Sequence, residues 1–441
     1  MPGTAVVASG NYILEVDTGY DWGSFTLDDT TKGVLDNTTY TLGPNTTYAD
    51  ITAGCLNVDI MRGRRDIGDQ FTHGHMGFTL TDSKYTSMIF NPFDTSSPYY
   101  DPTNSQPGLA PLRKVRFGRY DSTDTVQYLF CGYIVNYEYQ FNLGGIDTVH
   151  VTCADDFYIL AQTQLAAWNP SEELSGTRIT TMLDKTEVAY PATTRNIATG
   201  TVTLGGSAAY TVANGTSVAA YANKINQAEQ GRIFISRGNS TGKGVFTFQN
   251  RIGNTLGNAK IDFHDDGQAG TAPYNGVGIS FQGDQVCNRA SVTIAGSSSP
   301  QVADNVASQA KYLIQSQSIT DSLLHNDAAA LTLAQYLVVA TPTARFNELE
   351  TTVPMIPTTA LKEAAVTVDI GDVITIQKNI KTSPSTNYQM SQSSAIEGIA
   401  HNIDFSSGHA ITYFTSPTTI VYQLILDDPV YGTIDTTNVL G

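Results

Sequence analysis

The sequence predicts a mainly β protein with a small α/β insertion, and three observations carry that expectation. Charged residues make up only 15% of the chain, below the roughly 25% usual in globular domains, while 41% is hydrophobic. Thr, Ser, Asn and Gly fill the gap, and with 23 Tyr and many Val the balance favours strands joined by polar turns. Short apolar or alternating runs recur towards both ends of the chain, whereas the middle shifts to a helical period. At 441 residues there is room for about two to four domains. The expected divisions are a first β domain over 1–165, the α/β insertion over 166–270, a second β domain with one helix over 271–417, and an extended C-terminal arm over 418–441.

The elements follow in order. Strands are expected at Asn11 to Val16, Leu56 to Met61, Met76 to Leu80, Lys114 to Phe117, Gln127 to Asn136 and Thr148 to Cys153. The last two are joined through Tyr137-Glu-Tyr139 and a Gly-rich turn, which reads as a hairpin. In the insertion, Ile179, Met182 and Leu183 share one helical face within Arg178 to Val188. A second helix runs from Thr216 to Gln230, capped by Thr216 or Ser217 and stopped by Gly231, with Val218, Tyr221, Ala222 and Ile225 as its stripe. Strands Arg232–Ser236 and Val245–Gln249 close that region. Further on, Asn326 or Asp327 caps a helix whose apolar face is Ala330, Leu331, Ala334, Leu337 and Val338, with Pro342 beyond its end. Strands are then expected at Phe346–Val353, Ala365–Val368, Val373–Gln377, Ala395–Ile403 and Ala410–Phe414.

Charge and cysteine content exclude several roles. A net charge of −17 opposes nucleic-acid binding, which needs Lys and Arg to displace phosphate counterions. It is compatible with DNA passing nearby, since a like-charged wall does not hold it. Cys55, Cys131, Cys153 and Cys287 form no Cys-x-x-Cys and sit beside no zinc-spaced histidine, so buried free thiols are expected. The segment MPGTAVVASGNY lacks a basic stretch and a long apolar run, and no segment approaches the roughly 18 apolar residues of a membrane span. A soluble protein made in the cytoplasm follows, in which Asn37 and Asn45 are not glycosylated.

Four stretches resemble chemistry. Gly238-Asn-Ser-Thr-Gly-Lys-Gly244 has the wrong spacing for a phosphate loop and precedes a strand, so it reads as a hairpin turn. His73 and His75 would share a strand face, yet no third metal ligand is identifiable. His264-Asp-Asp-Gly267 lacks the register of a calcium loop and reads as a turn. Asn91-Pro-Phe-Asp-Thr-Ser-Ser-Pro-Tyr-Tyr-Asp-Pro102 could offer Asp94, Asp101, Asn91 and Asn104 to a cation. Its three prolines favour a rigid clip instead, with Asp94 bonding backbone amides and Tyr99 or Tyr100 as an apolar anchor. No Gly-x-Ser-x-Gly is present, and a glycan-cleaving carboxylate pair cannot be recognised by spacing. No catalytic, cofactor-binding or metal residue is assigned, and neither an enzyme activity nor a cofactor is expected.

Several landmarks then line up in order. They are Arg62-Gly-Arg-Arg-Asp-Ile-Gly-Asp-Gln-Phe71, the Asn91–Pro102 loop, Leu109 to Phe117, Gly132-Tyr-Ile-Val, Val149 to Leu160, Ser175 to Leu183, Asn223 to Ser236, Asp369-Ile-Gly-Asp-Val-Ile-Thr-Ile376, Ile396-Glu-Gly-Ile-Ala-His401, Leu426-Asp-Asp-Pro-Val-Tyr-Gly432 and Leu440-Gly441. Their order and spacing resemble minor tail proteins of long-tailed, non-contractile phages, notably those infecting actinobacteria. The resemblance implies two tube-like antiparallel β-barrel or sandwich domains of the baseplate-hub type. It implies a structural virion protein at the tail tip, made in the host cytoplasm and present as a homotrimer. The hub would end the tail tube, line the DNA exit channel and anchor fibre or receptor-binding proteins. Implied neighbours are the distal tail and tail-tube proteins and the tape measure protein, with phage DNA passing without specific binding. The alternatives are a distal tail ring, a receptor- or carbohydrate-binding tail component, and a tail-associated cell-wall glycan hydrolase.

Overall fold

A computed structural model describes residues 11–19, 30, 47–66, 68–82, 90–91, 94–143, 145–251, 258–383 and 386–418. The expected arm beyond Thr418, the sites at Asn37 and Asn45, and Pro92 and Phe93 of the proline-rich loop lie outside them. Among the described residues no helix is long and apolar enough to cross a membrane.

The chain opens with β1 (Tyr12–Asp17), β2 (Tyr48–Asp50), β3 (Cys55–Gly63) and β4 (His75–Asp82). A long hairpin region follows: β5 (Lys114–Tyr120), β6 (Val126–Gln140) and β7 (Asp147–Ala154). Next come α1 (Asp156–Gln162), α2 (Ser175–Leu183), β8 (Arg195–Ile197), α3 (Val218–Glu229), β9 (Arg232–Ile235) and β10 (Phe246–Gln249). Then β11 (Asp262–His264) and β12 (Gly276–Ser280) lead to β13 (Arg289–Ile294), β14 (Gln301–Asp304), α4 (Val306–Tyr312), β15 (Ser316–Ser322) and α5 (Asp327–Leu337). The described residues end on β16 (Arg345–Thr352), α6 (Thr359–Thr367), β17 (Val373–Ser383), β18 (Thr386–Asp404) and β19 (Gly408–Pro417).

The mainly β architecture expected from composition is present as one large sheet in the order β12-β16-β19-β18-β3-β4-β7-β6-β5-β1-β2, with β17 and β11 branching from β18. Two-residue periodicity builds it. In β19, His409, Ile411 and Tyr413 are buried while Gly408, Ala410, Thr412 and Phe414 between them stay partly exposed. The two flanking β regions are therefore not separate sheets. The strand β18 serves both: its first half pairs antiparallel with β17, and its second half pairs with β3 from Gly398–Gly63 to Asp404–Asn57. One core runs through both regions, from Leu14 and Phe117 to Phe346, Ile399 and Tyr413.

The sheet curls so that β1, near one end of the order, meets the β18–β19 turn. There the closure is made by side chains. The Tyr12 ring stacks on Phe117 and stands edge-on to Phe405 and His409, at centroid distances of 5.8, 5.8 and 5.9 Å.

A second core gathers α1, α2, α3, the sheet β8-β10-β9, and also the sheet β14-β13-β15 with α5. The helix α5, read with the second β domain, thus packs here with Ala290, Val292 and Ile319, because its buried residues face the sheet of β13. Its inward leucine is Leu333 rather than Leu331. The α3 cap is Ser217, which accepts from Ala220 N, and Gln230 ends the helix in a left-handed conformation. The helix α2 stops at Leu183, five residues short of the expected end at Val188. One element changes type. The strand expected at Ala365–Val368 is the last part of α6, because Thr358 accepts from Leu361 N as a cap and the Ala-rich run that follows favours a helix.

Candidate functional site

The stretches at Gly238–Gly244, Asp265 and Asn91–Pro102 make local turn bonds. Asn239 accepts from the backbone N–H groups of Thr241 and Lys243, so the Gly238–Gly244 loop is the tight turn between β9 and β10. His73 lies edge-on to Tyr158 at 5.7 Å, while His75 is exposed on β4. The Asp265 carboxylate accepts from Lys378 Nζ at 2.7 Å and from Asn379 Nδ2 at 2.8 Å, which ties its turn to β17. In the proline-rich loop, Asp94 accepts from Ser96 N at 2.9 Å, and Asp101 accepts from Thr103 N and Asn104 N. Tyr99 is buried against Phe90, with stacked rings 5.7 Å apart. The four cysteines are free, three of them buried, with burial pushing their thiols up.

What the structure does bring together are the landmarks Arg62–Phe71, Asn223–Ser236, Asp369–Ile376 and Ile396–His401. They meet where β18 passes from β17 to β3. Glu397 is the extra residue of a β-bulge between the β19 partners of Ile396 and Gly398. The bulge turns its side chain into the interior, where only 1% of it is exposed. Arg232 Nη2 donates to Glu397 Oε1 at 2.5 Å, Arg64 Nε donates to Oε2 at 2.9 Å, and Ser416 Oγ donates to Oε1 at 2.7 Å. Burial alone would raise this carboxyl, but the two guanidinium groups hold it down at about 2.

Alongside, Arg62 Nη1 donates to Asp369 Oδ1 at 2.7 Å, and the other Asp369 oxygen accepts from Arg237 N at 3.0 Å. Two glycines let the backbones cross. Gly63 has φ of +83°, and a Cβ there would stand 2.3 Å from Glu397 O; one on Gly398 would stand 2.4 Å from Arg64 O. Asp155 caps α1 nearby and accepts from Gly74 N at 2.7 Å; burial pushes its carboxyl up to about 8. The β regions and the insertion are thus joined through buried ion pairs, Arg232 and Arg64 with Glu397 and Arg62 with Asp369.

On the side where the sheet closes, Tyr12 Oη bonds His409 Nδ1 at 3.1 Å, and His409 Nε2 bonds His401 Nδ1 at 3.0 Å. Both imidazoles are buried, and burial lowers both; His409 falls to about 3. Over this pair opens a cavity of about 290 Å³, walled by Tyr12, Val353, Pro354, Ile403 and Phe405, with Arg119 and Lys362 beside it. Sequence reasoning assigned none of these residues. Tyr12, Arg119 and His409 come from three distant segments and carry no shared motif.

With this geometry in hand, known structures give a clear answer about the fold. A tail protein from Neisseria meningitidis MC58 superposes with a TM-score of 0.52 at 8% identity, over 85% of this chain and 95% of that one. The 43 kDa tail protein of prophage MuSo2 from Shewanella oneidensis superposes with a TM-score of 0.52 at 11% identity, over 92% of this chain and 98% of that one. The chain has the fold of these tail proteins. No protein-family model matches the sequence, and no curated protein matches it either.

Proposed function

We propose that this chain is a structural protein of a phage tail, placed at the tail tip as a baseplate hub. The observation that carries the reading is the extent of the Shewanella prophage tail protein match: it spans 92% of this chain and 98% of that one, so both β regions and the insertion are included. The locked charge cluster supports a scaffold role, and the reading assigns the chain no catalytic step. Three copies form a ring that ends the tail tube and touches the distal tail, tail-tube and tape measure proteins above and the fibre or receptor-binding proteins below. With a net charge of −17, the ring lets DNA leave without binding it. The assignment to long, non-contractile tails of the actinobacteriophage kind rests on the sequence landmarks alone.

Electron microscopy of particles labelled on this chain tests the reading. Three copies in a ring at the tail tip are expected. Six copies would move the chain to a distal tail ring, and label away from the tail would overturn the proposal.

A further inference from the structure

The tip of the β6–β7 hairpin carries large apolar side chains that are exposed among the described residues. Phe141 is 69% exposed, Leu143 fully exposed and Ile146 65% exposed. The tip is nevertheless ordered by its own bonds: Asn142 N donates to Asp147 Oδ1 at 2.7 Å, and Asn142 Nδ2 donates to Ile146 O at 2.9 Å. The Tyr139 and Phe141 rings lie 4.4 Å apart. Single exposed apolar residues are ordinary, but three on one hairpin tip form a patch of the kind that marks an interface.

The cavity at the Tyr12 closure has the complementary shape and charge. Its walls are apolar and its volume of about 290 Å³ takes a large apolar side chain. Arg119 and Lys362 flank it, and neither is in the ion pairs found among the described residues; Arg119 instead lies beside the Tyr12 hydroxyl. The one acidic group in the lining, Asp404, has its carboxylate turned to Ser406 N and Ser407 N of its own turn. The hairpin tip brings carboxylates of its own, Glu138 and Asp147, beside its apolar residues.

Tip and cavity lie at opposite ends of one strand. Arg119 pairs with Gln127 at the start of β6, and the tip follows Gln140 at its end. At about 3.3 Å per residue the separation is roughly 40 Å, too far for a copy to fill its own cavity. We propose that the hairpin tip of one copy seats in the Tyr12 cavity of a second copy, with Leu143 or Phe141 in the cavity and Glu138 or Asp147 facing Arg119 and Lys362. Because knob and hole are different surfaces, the contact is heterologous and propagates head to tail into a closed ring or a filament. The inference deepens the hub reading and rests on it for its setting, since it names the contact by which copies join.

Sedimentation velocity on the full chain tests it with two double variants, Phe141→Asp with Leu143→Asp and Arg119→Glu with Lys362→Glu. Wild type is expected to associate with rising concentration, and each double variant to stay monomeric with an unchanged circular dichroism spectrum. Mixed together, the variants should give a dimer holding one copy of each, since each retains one intact half of the contact. A cavity variant that misfolds is replaced by Arg119→Gln with Lys362→Gln, judged by the same mixing. Wild type that stays monomeric at its highest soluble concentration overturns the contact, as does association of the tip variant with itself or failure of the mixed dimer. None of these outcomes touches the placement at the tail tip, which the labelled particles decide separately.

Discussion

The part of the sheet around β1 to β7 is bounded by two unlike seams. Along β3 and β18 the seam is a backbone ladder backed by paired charges: Glu397 is held by Arg64 and Arg232, and Arg62 by Asp369. Along β1 and the β18–β19 turn the seam is made of rings and one hydrogen-bonded chain, Tyr12–His409–His401. Beside the second opens a cavity of about 290 Å³. A ladder fixes strands at one spacing, whereas side-chain closure sets no fixed spacing and leaves space wherever the rings do not fill it. The ladder seam is therefore where the molecule holds itself together, and the ring seam is where it can receive something else.

That contrast can be broken at its strongest point first. Glu397→Gln removes the charge and leaves the buried Arg232 and the partly buried Arg64 without their carboxylate, so a loss of about 3–5 kcal/mol is expected in urea unfolding. A loss below about 1 kcal/mol would show that the two seams do not differ in this way.

The next effect is one of pH. The His409 imidazole is lowered from 6.5 to about 3 in the fold, so its contribution is fully present above about pH 6.5 and is lost as pH falls towards 3. Between pH 7 and 5 the loss is about 2 kcal/mol, measured as the difference between wild type and His409→Gln. Taking the difference removes Asp155, whose raised carboxyl acts in the opposite sense, losing its contribution as pH rises from 3.8 towards 8. Parallel pH profiles for the two proteins would mean that the imidazole does not matter to the ring seam.

Tyr12→Phe keeps the ring and deletes the hydroxyl that bonds His409 Nδ1 and lies beside Arg119. It should cost about 1 kcal/mol in the same unfolding experiment, well under the Glu397 change. Smallest of all, Leu143→Asp at the exposed hairpin tip should leave stability within about 0.5 kcal/mol of wild type, so that any loss of association is not a loss of fold.

Much of this was legible where the signal is local. The caps Ser217 and Asn326, the stripe Val218–Tyr221–Ala222–Ile225 and most strands follow from period and capping, which depend on neighbours a few residues away. The short run Ala365–Val368 differs from the expected strand because three apolar residues and a threonine do not distinguish a strand from the end of a buried helix. The sheet β14-β13-β15 was missed because Ser316–Ser322 reads SQSITDS, with one buried apolar residue in seven. The site was legible only as fragments. Arg62 and Asp369 are 307 residues apart and Arg232 and Glu397 are 165 apart, and spacing cannot reveal such partners. Nor does any sequence pattern announce the bulge that turns Glu397 inward.

The strand shared by the two β regions also has a mechanical consequence. Nothing resembling a tether separates the regions along β18. A pull that draws them apart along the strand direction loads every hydrogen bond from Gly398–Gly63 to Asp404–Asn57 in shear at the same moment, not one after another. Force applied to one region therefore reaches the other without slack, as in a single stiff part.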